Sequence, residues 1–117
     1  MNQLFEDPFF NITALVGGVF VVAGFIMLKF PPKKINFLYG YRTKSSMKNQ
    51  ERWDFAQKYA AKEMMLTGLV LATSGLLTLI IDFATSVKFL VGLAMVGLAV
   101  IVLLVRVEKA IKKRFPV

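Results

Sequence analysis

Phe9 to Leu28, FFNITALVGGVFVVAGFIML, is the stretch that decides the fold. It has about 20 residues, and at 1.5 Å per residue a helix of that length crosses the roughly 30 Å hydrocarbon core of a bilayer. Asn11 and Thr13 are its only polar side chains, both near its start. A helix in a soluble bundle carries one apolar stripe. This run is apolar all round, so lipid is its better solvent. A cleaved signal opens on a basic region and closes on small residues. Here Glu6 and Asp7 come first, with no Lys or Arg, and Met27, Leu28 and Lys29 come last. The segment is therefore expected to be retained.

Two further runs follow. Met64 to Ile81, MMLTGLVLATSGLLTLII, has about 18 residues, and Phe89 to Val105, FLVGLAMVGLAVIVLLV, has about 17 and no charge. The expected fold is all-α: an integral membrane three-helix bundle with spans at 9–28, 64–81 and 89–105, forming a single membrane domain over 1–117. Composition agrees. Hydrophobic residues make up 56% of the 117, above the ~45–50% of soluble domains. Cys and His are both absent. That excludes disulfide scaffolds, zinc ribbons, iron–sulfur clusters, His-ligated haem and catalytic dyads that need either residue. No cofactor and no metal site are expected.

The formal charge of +8 is unevenly placed. Residues 1–8 contain no Lys or Arg. Residues 29–63 contain nine, the connection 82–88 only Lys88, and the tail 106–117 five. Fourteen of fifteen positive charges thus fall on one side of a three-span topology. The positive-inside rule puts the N-terminus outside and both the 29–63 loop and the C-terminal tail in the cytoplasm. The basic residues read as topology signals that also attract anionic lipid, at about 1 kcal/mol each near the surface. Nucleic-acid binding needs a soluble basic face and is not expected.

The 35-residue loop is longer than a helix hairpin needs. Its first half is FPPKKINFLYGYRTKSS. Pro31 and Pro32 stop the first helix, and Gly40, between Tyr39 and Tyr41, is free to turn the chain at positive φ. The second half, SMKNQERWDFAQKYAAK, lacks Gly and Pro and is rich in helix formers. It predicts an amphipathic helix with Ser45 or Ser46 as N-cap, carrying Trp53, Ala56, Ala60 and Met64 on one face and running into the second span. Two arrangements are open. The helix lies in the interface with its aromatics at headgroup level, or it folds over the mouth of the bundle and builds a polar pocket. Candidate ligand-binding residues of that pocket are Asn36, Tyr39, Tyr41, Arg42, Thr43, Ser46, Asn49, Trp53 and Gln57. Arg42 suits a phosphate or carboxylate held by two prongs; as one more inside-positive charge it is explained equally well.

Ile35-Asn36, Tyr39-Gly40-Tyr41-Arg42-Thr43, Ser46-Met47-Lys48-Asn49, Trp53 and Ala56 together resemble the signature of the SdpI family, bacterial membrane proteins named for immunity to the sporulation-delaying peptide toxin. The resemblance implies one span before the loop and two after it, residence in the bacterial cell membrane, and resistance to a membrane-active peptide. Many relatives carry extra spans ahead of this unit; this chain is similar to the short form. The partners to expect are membrane lipid, a peptide toxin or a membrane-protein partner, and a second copy of the chain.

The spans themselves hold little chemistry. No ionisable residue lies at mid-depth, which argues against an ion-coupled transporter. Thr67, Thr73, Ser74 and Thr78 form a polar strip, read as interhelical or back-bonding hydroxyls. Ala14-x-x-x-Gly18 and Gly68-x-x-x-Ala72 are small-residue pairs suited to close helix approach, and Gly92 and Gly97 lighten the third helix. No nucleophile–base pair or phosphate loop appears, so the chain is not expected to be an enzyme. Two other roles stand beside immunity: an accessory subunit of a membrane complex, in which the loop motif only staples the loop to the bundle, and a small transporter.

Overall fold

The computed structural model describes residues 2–116. Met1 and Val117, the outermost residues of the predicted 1–8 flank and 106–117 tail, lie outside the described residues. A short helix α1 (Asn2–Glu6) precedes three long ones: α2 (Pro8–Lys29), α3 (Gln50–Ser74) and α4 (Thr85–Arg114). α2, α4 and the helical stretch Gln50–Leu79 that begins with α3 are each long and apolar enough to cross a membrane. The fold is the expected all-α, multi-pass membrane bundle. Large apolar side chains on the outside, such as Leu15, Val22, Leu69, Leu90 and Leu98, are the lipid-facing surface of such a bundle.

Local chemistry sets the helix ends. Asp7 caps α2, its Oδ1 accepting from the Phe10 N–H at 3.0 Å, and Pro8 occupies the first turn, where its missing N–H costs nothing. α2 stops at Lys29, just ahead of Phe30, Pro31 and Pro32. α3 is capped by Asn49, whose Oδ1 accepts from the Arg52 N–H at 2.9 Å. This corrects the expectation of Ser45 or Ser46. Ser46 is already committed to a tight turn, accepting from the Thr43 N–H at 2.8 Å and donating to the Tyr41 carbonyl at 3.0 Å.

The predicted amphipathic helix and the second span are one helix. α3 runs without a break from Gln50 to Ser74, then tightens into a 3-10 segment, Gly75–Leu79. A Cβ on Gly75 would stand 2.5 Å from Thr13 Oγ1, so the narrowing occurs where the chain passes the start of α2. α4 likewise extends beyond the apolar 89–105 run and carries most of the basic tail as helix.

α2 and α3 form the tightest pair, and α4 leans on both. A Cβ on Gly17 would lie 2.6 Å from the Gly68 carbonyl and 2.7 Å from the Ala72 N, and a Cβ on Gly24 would lie 2.6 Å from the Ala61 carbonyl. Backbones in this seam touch, as small residues permit in the absence of a hydrophobic driving force between lipid-soluble helices. Gly68 and Ala72 behave as expected. Ala14-x-x-x-Gly18 does not make the contact: nothing lies within 4 Å of a Cβ placed on Gly18, and Gly17 and Gly24, two turns apart, take that place. Gly92 approaches Ile12 on α2, whereas Gly97 meets open space. Three of the four hydroxyls of the strip are spent as expected: Thr73 and Ser74 donate back to carbonyls of their own helix, and Thr78 donates across to Asp7, while Thr67 lines a groove between α3 and α4.

Candidate functional site

The molecule has a basic end and an opposite end. At the opposite end Asp7 is buried and accepts from Lys88 Nζ at 2.6 Å, from Thr78 Oγ1 at 2.6 Å and from its cap N–H. Burial alone would raise the Asp7 carboxyl; the hydrogen bonds from Lys88, Thr78 and Phe10 outweigh it and hold the pKa below the ordinary carboxylate range. One carboxylate thereby ties the starts of α2 and α4 to the end of the α3 segment.

The 30–49 connection folds over the basic end and closes the bundle. Its centre is Gly40-Tyr41. Gly40 has φ 109°, open to glycine alone among these residues, and a Cβ there would stand 2.6 Å from Gln57 Oε1 and 2.7 Å from Pro32 Cγ. That close approach lets the Gln57 amide pair with the next residue's backbone: the Tyr41 N–H donates to Gln57 Oε1 at 2.7 Å, and Gln57 Nε2 donates to the Tyr41 carbonyl at 2.8 Å. Gln57 is buried on α3 and acts as a short surrogate strand for the loop.

Tyr41 then drops its ring into the core among Met27, Ala60, Val107 and Ile111. Ala56, Ala60 and Ala61 are fully buried, and their small side chains leave the room that the ring fills. Its hydroxyl donates to Glu108 Oε2 at 2.7 Å. Thr43 Oγ1 donates to the same oxygen at 2.9 Å, and Ser45 Oγ donates to Glu108 Oε1 at 2.9 Å. Burial, reinforced by the Glu108 carboxylate, pushes the Tyr41 phenol above its ordinary value, so it remains a donor throughout the physiological range. Glu108 is a tie that sequence reasoning missed. The available signal was its solitude: it is the one acid in an otherwise basic tail, RVEKAIKKRFPV.

The remaining candidate residues are also held within the loop and its docking surface. Asn36 Oδ1 accepts from the Leu38 and Tyr39 N–H groups, and its Nδ2 donates to the Lys34 carbonyl at 2.9 Å. The Tyr39 hydroxyl donates to the Phe30 carbonyl at 2.7 Å. Arg42 is exposed and donates to the Phe37 carbonyl, bracing the 37–42 turn. Trp53 is completely buried, and its indole N–H donates to the Pro32 carbonyl at 2.5 Å. The structure therefore brings Tyr41, Thr43, Ser46, Trp53 and Gln57 together as one hydrogen-bonded staple, with Asn49 capping the helix beside it. Asn36, Tyr39 and Arg42 shape a separate outer turn. The polar atoms face one another and the backbone instead of lining a shared cavity. Neither arrangement open for the α3 start is adopted as stated: α3 runs unbroken into the second span, it is the 30–49 connection that folds over the bundle, and full burial of Trp53 takes its ring away from the headgroup level. At the tip of the connection Phe37 and Leu38 are bare, at 79% and 94% exposure, a few residues along the chain from exposed Lys33 and Lys34.

Further along the same end, Glu63 of α3 is buried and holds Arg106 of α4 through two bonds, Nε to Oε2 at 2.8 Å and Nη2 to Oε1 at 2.9 Å. The matched fork geometry makes this a directional tie.

Fold and site together define a class: a small multi-pass membrane protein whose first and second spans are joined by a motif-built cap docked on all three helices. The chain belongs to the SdpI/YfhL protein family, whose profile matches residues 33–106, from the cap through to Arg106. It is 51% identical over 67 residues to the uncharacterized protein YfhL of Bacillus subtilis (strain 168), a match that covers 56% of this chain and 61% of that protein. No solved structure matches the chain.

Proposed function

We propose that this chain is a non-catalytic protein of the bacterial plasma membrane, N-terminus outside and C-terminus inside, that gives resistance to a membrane-active peptide. Family membership over residues 33–106 is the observation that carries this reading. The geometry adds how the loop would serve it. The motif residues hold the cap rigid, and the cap presents Phe37 and Leu38 as its exposed apolar tip with Lys33 and Lys34 a few residues before them along the chain. An apolar tip preceded by lysines suits contact with a peptide, or with that peptide's target, at the inner headgroup level. Arg42 takes part as the brace behind the tip.

A second reading has its own observation. Among the described residues every buried polar side-chain atom is satisfied within the chain, which is what a purely architectural staple requires, and this favours an accessory subunit of a larger membrane complex.

The test is survival of a sensitive bacterium expressing the chain, challenged with the sporulation-delaying peptide and with an unrelated pore former. Protection by the wild type, selective for the first peptide and lost in the Phe37→Ser/Leu38→Ser double variant with insertion intact, is expected. Equal protection by that variant would remove the tip from the mechanism. Absence of protection by correctly inserted wild type would favour the accessory role.

A further inference from the structure

Between α3 and α4 a groove of about 380 Å³ opens sideways, walled by Leu66, Val70, Met95, Leu98, Ala99 and Val102. Its end toward the basic pole is bordered by the Glu63–Arg106 pair. Arg106 also belongs to a second, wider cleft, lined by Phe55 and Tyr59 of α3 and by Lys109, Lys113 and Arg114 of α4. The two hollows meet at this residue, so one continuous surface is mainly apolar below Arg106, with Thr67 the one hydroxyl in its wall, and cationic with an aromatic border above it.

The level of that junction follows from the α2–α3 register. Gly24 packs between Ala61 and Met65, so Glu63 lies level with Gly24. That is five residues, roughly 7 Å, inside the Lys29 end of α2. Arg106 therefore stands inside the hydrocarbon near its edge, its side chain 53% exposed and long enough to reach toward the headgroups, and Lys109 and Lys113 lie about one and two helical turns closer to them. From Arg106 to Met95 the groove runs eleven residues along α4, roughly 16 Å. One acyl chain spans one leaflet of a ~30 Å core, about 15 Å, so the groove is about one chain long.

We infer that this surface is a binding site for an anionic phospholipid, with the phosphate held by Arg106, Lys109 and Lys113 and one acyl chain lying in the α3–α4 groove. Charge and length both select this occupant. Two of the Arg106 donors go to Glu63, and a guanidinium carries five, which leaves three N–H groups of a cleft-lining residue in the same cleft as two ammonium groups. A zwitterionic headgroup would bring its own cation against that cluster. A second copy in the same membrane orientation, paired across the same face, would bring its own basic cleft against this one, and like charges oppose such a contact. The inference rests on the fold and holds whether or not the chain confers resistance.

Native mass spectrometry of the purified chain, with dioleoyl phosphatidylglycerol and dioleoyl phosphatidylcholine supplied in equal amounts, tests it. One phosphatidylglycerol retained per chain, at least tenfold over phosphatidylcholine, is expected. Lys109→Gln/Lys113→Gln should bring retention down to the phosphatidylcholine level, and Ala99→Phe, which fills the groove, should lower it severalfold. If Ala99→Phe does not insert, Leu98→Trp fills the groove from its rim. Glycerol phosphate alone should not compete. Equal retention of both lipids, retention indifferent to a filled groove, full competition by glycerol phosphate, or a lipid-free dimer would each overturn the site.

Discussion

At the scale of single residues, two carboxylates do most of the tying. Glu108 takes three hydroxyl donors from the loop, and hydrogen bonds to a charged acceptor are worth more than neutral ones. Glu108→Ala should cost about 2 kcal/mol of stability, read from thermal unfolding in micelles. Glu108→Gln should cost less, because the amide oxygen still accepts from Tyr41 and Thr43 and the Ser45 hydroxyl can turn to accept from the new N–H. Asp7 makes a pH-dependent tie. Its pKa is depressed in the folded chain, so its contribution is present above the unfolded value of ~3.9 and is lost as pH falls through the folded value. Asp7→Asn keeps the cap but loses the charge opposite Lys88. Its melting temperature should lie below that of the wild type at pH 6, and the gap should narrow below about pH 4 and close at lower pH.

At the scale of helices, the α2–α3 seam turns on which glycine faces inward. Gly17→Ala places a Cβ against backbone atoms, which cannot swing aside, and should cost about 1–3 kcal/mol through overpacking. Gly18→Ala enters open space one position away and should be neutral or slightly stabilising, since alanine is the better helix former. Melting of the two variants side by side checks the assignment. The start of α3 is open to an optical test, because Trp53 is the only tryptophan. With its ring fully buried, its emission should be blue-shifted and resist both acrylamide and brominated-lipid quenchers. Ready quenching by brominated lipid would mean that this helix lies in the interface.

At the scale of the whole molecule, the bundle measures 48 Å along its long axis, so it extends past a ~30 Å hydrocarbon layer. Much of the extra length is at the basic end, where α4 continues to Arg114 and the cap sits on α3. The chain contains no cysteine, which makes single-cysteine labelling clean. A membrane-impermeant thiol reagent applied to intact cells should label Ser86→Cys in the short-connection region and leave Lys113→Cys untouched until the cells are opened. The reverse pattern would invert the orientation that the charge distribution predicts.

Much of this was legible in the chain itself. The three apolar runs, the charge separation, the prolines that end α2, the turn at Gly40 and the buried face of Trp53, Ala56 and Ala60 are local properties: length against bilayer thickness, missing donors, permitted φ, and side chains repeating every three or four residues. What the sequence could not supply was partnership. Which of two adjacent glycines enters the seam depends on helix rotation, and periodicity within one apolar-all-round helix does not set rotation. That Glu108, 67 residues from Tyr41, receives its hydroxyl, and that the motif's polar groups are spent on one another instead of lining a pocket, depends on the antiparallel register of α2, α3 and α4. In lipid, hydropathy pays for insertion of each helix separately, so it specifies the spans. Contact between helices is then decided by shape and by a few polar pairs at long sequence separation, and those exist only once the chain has packed.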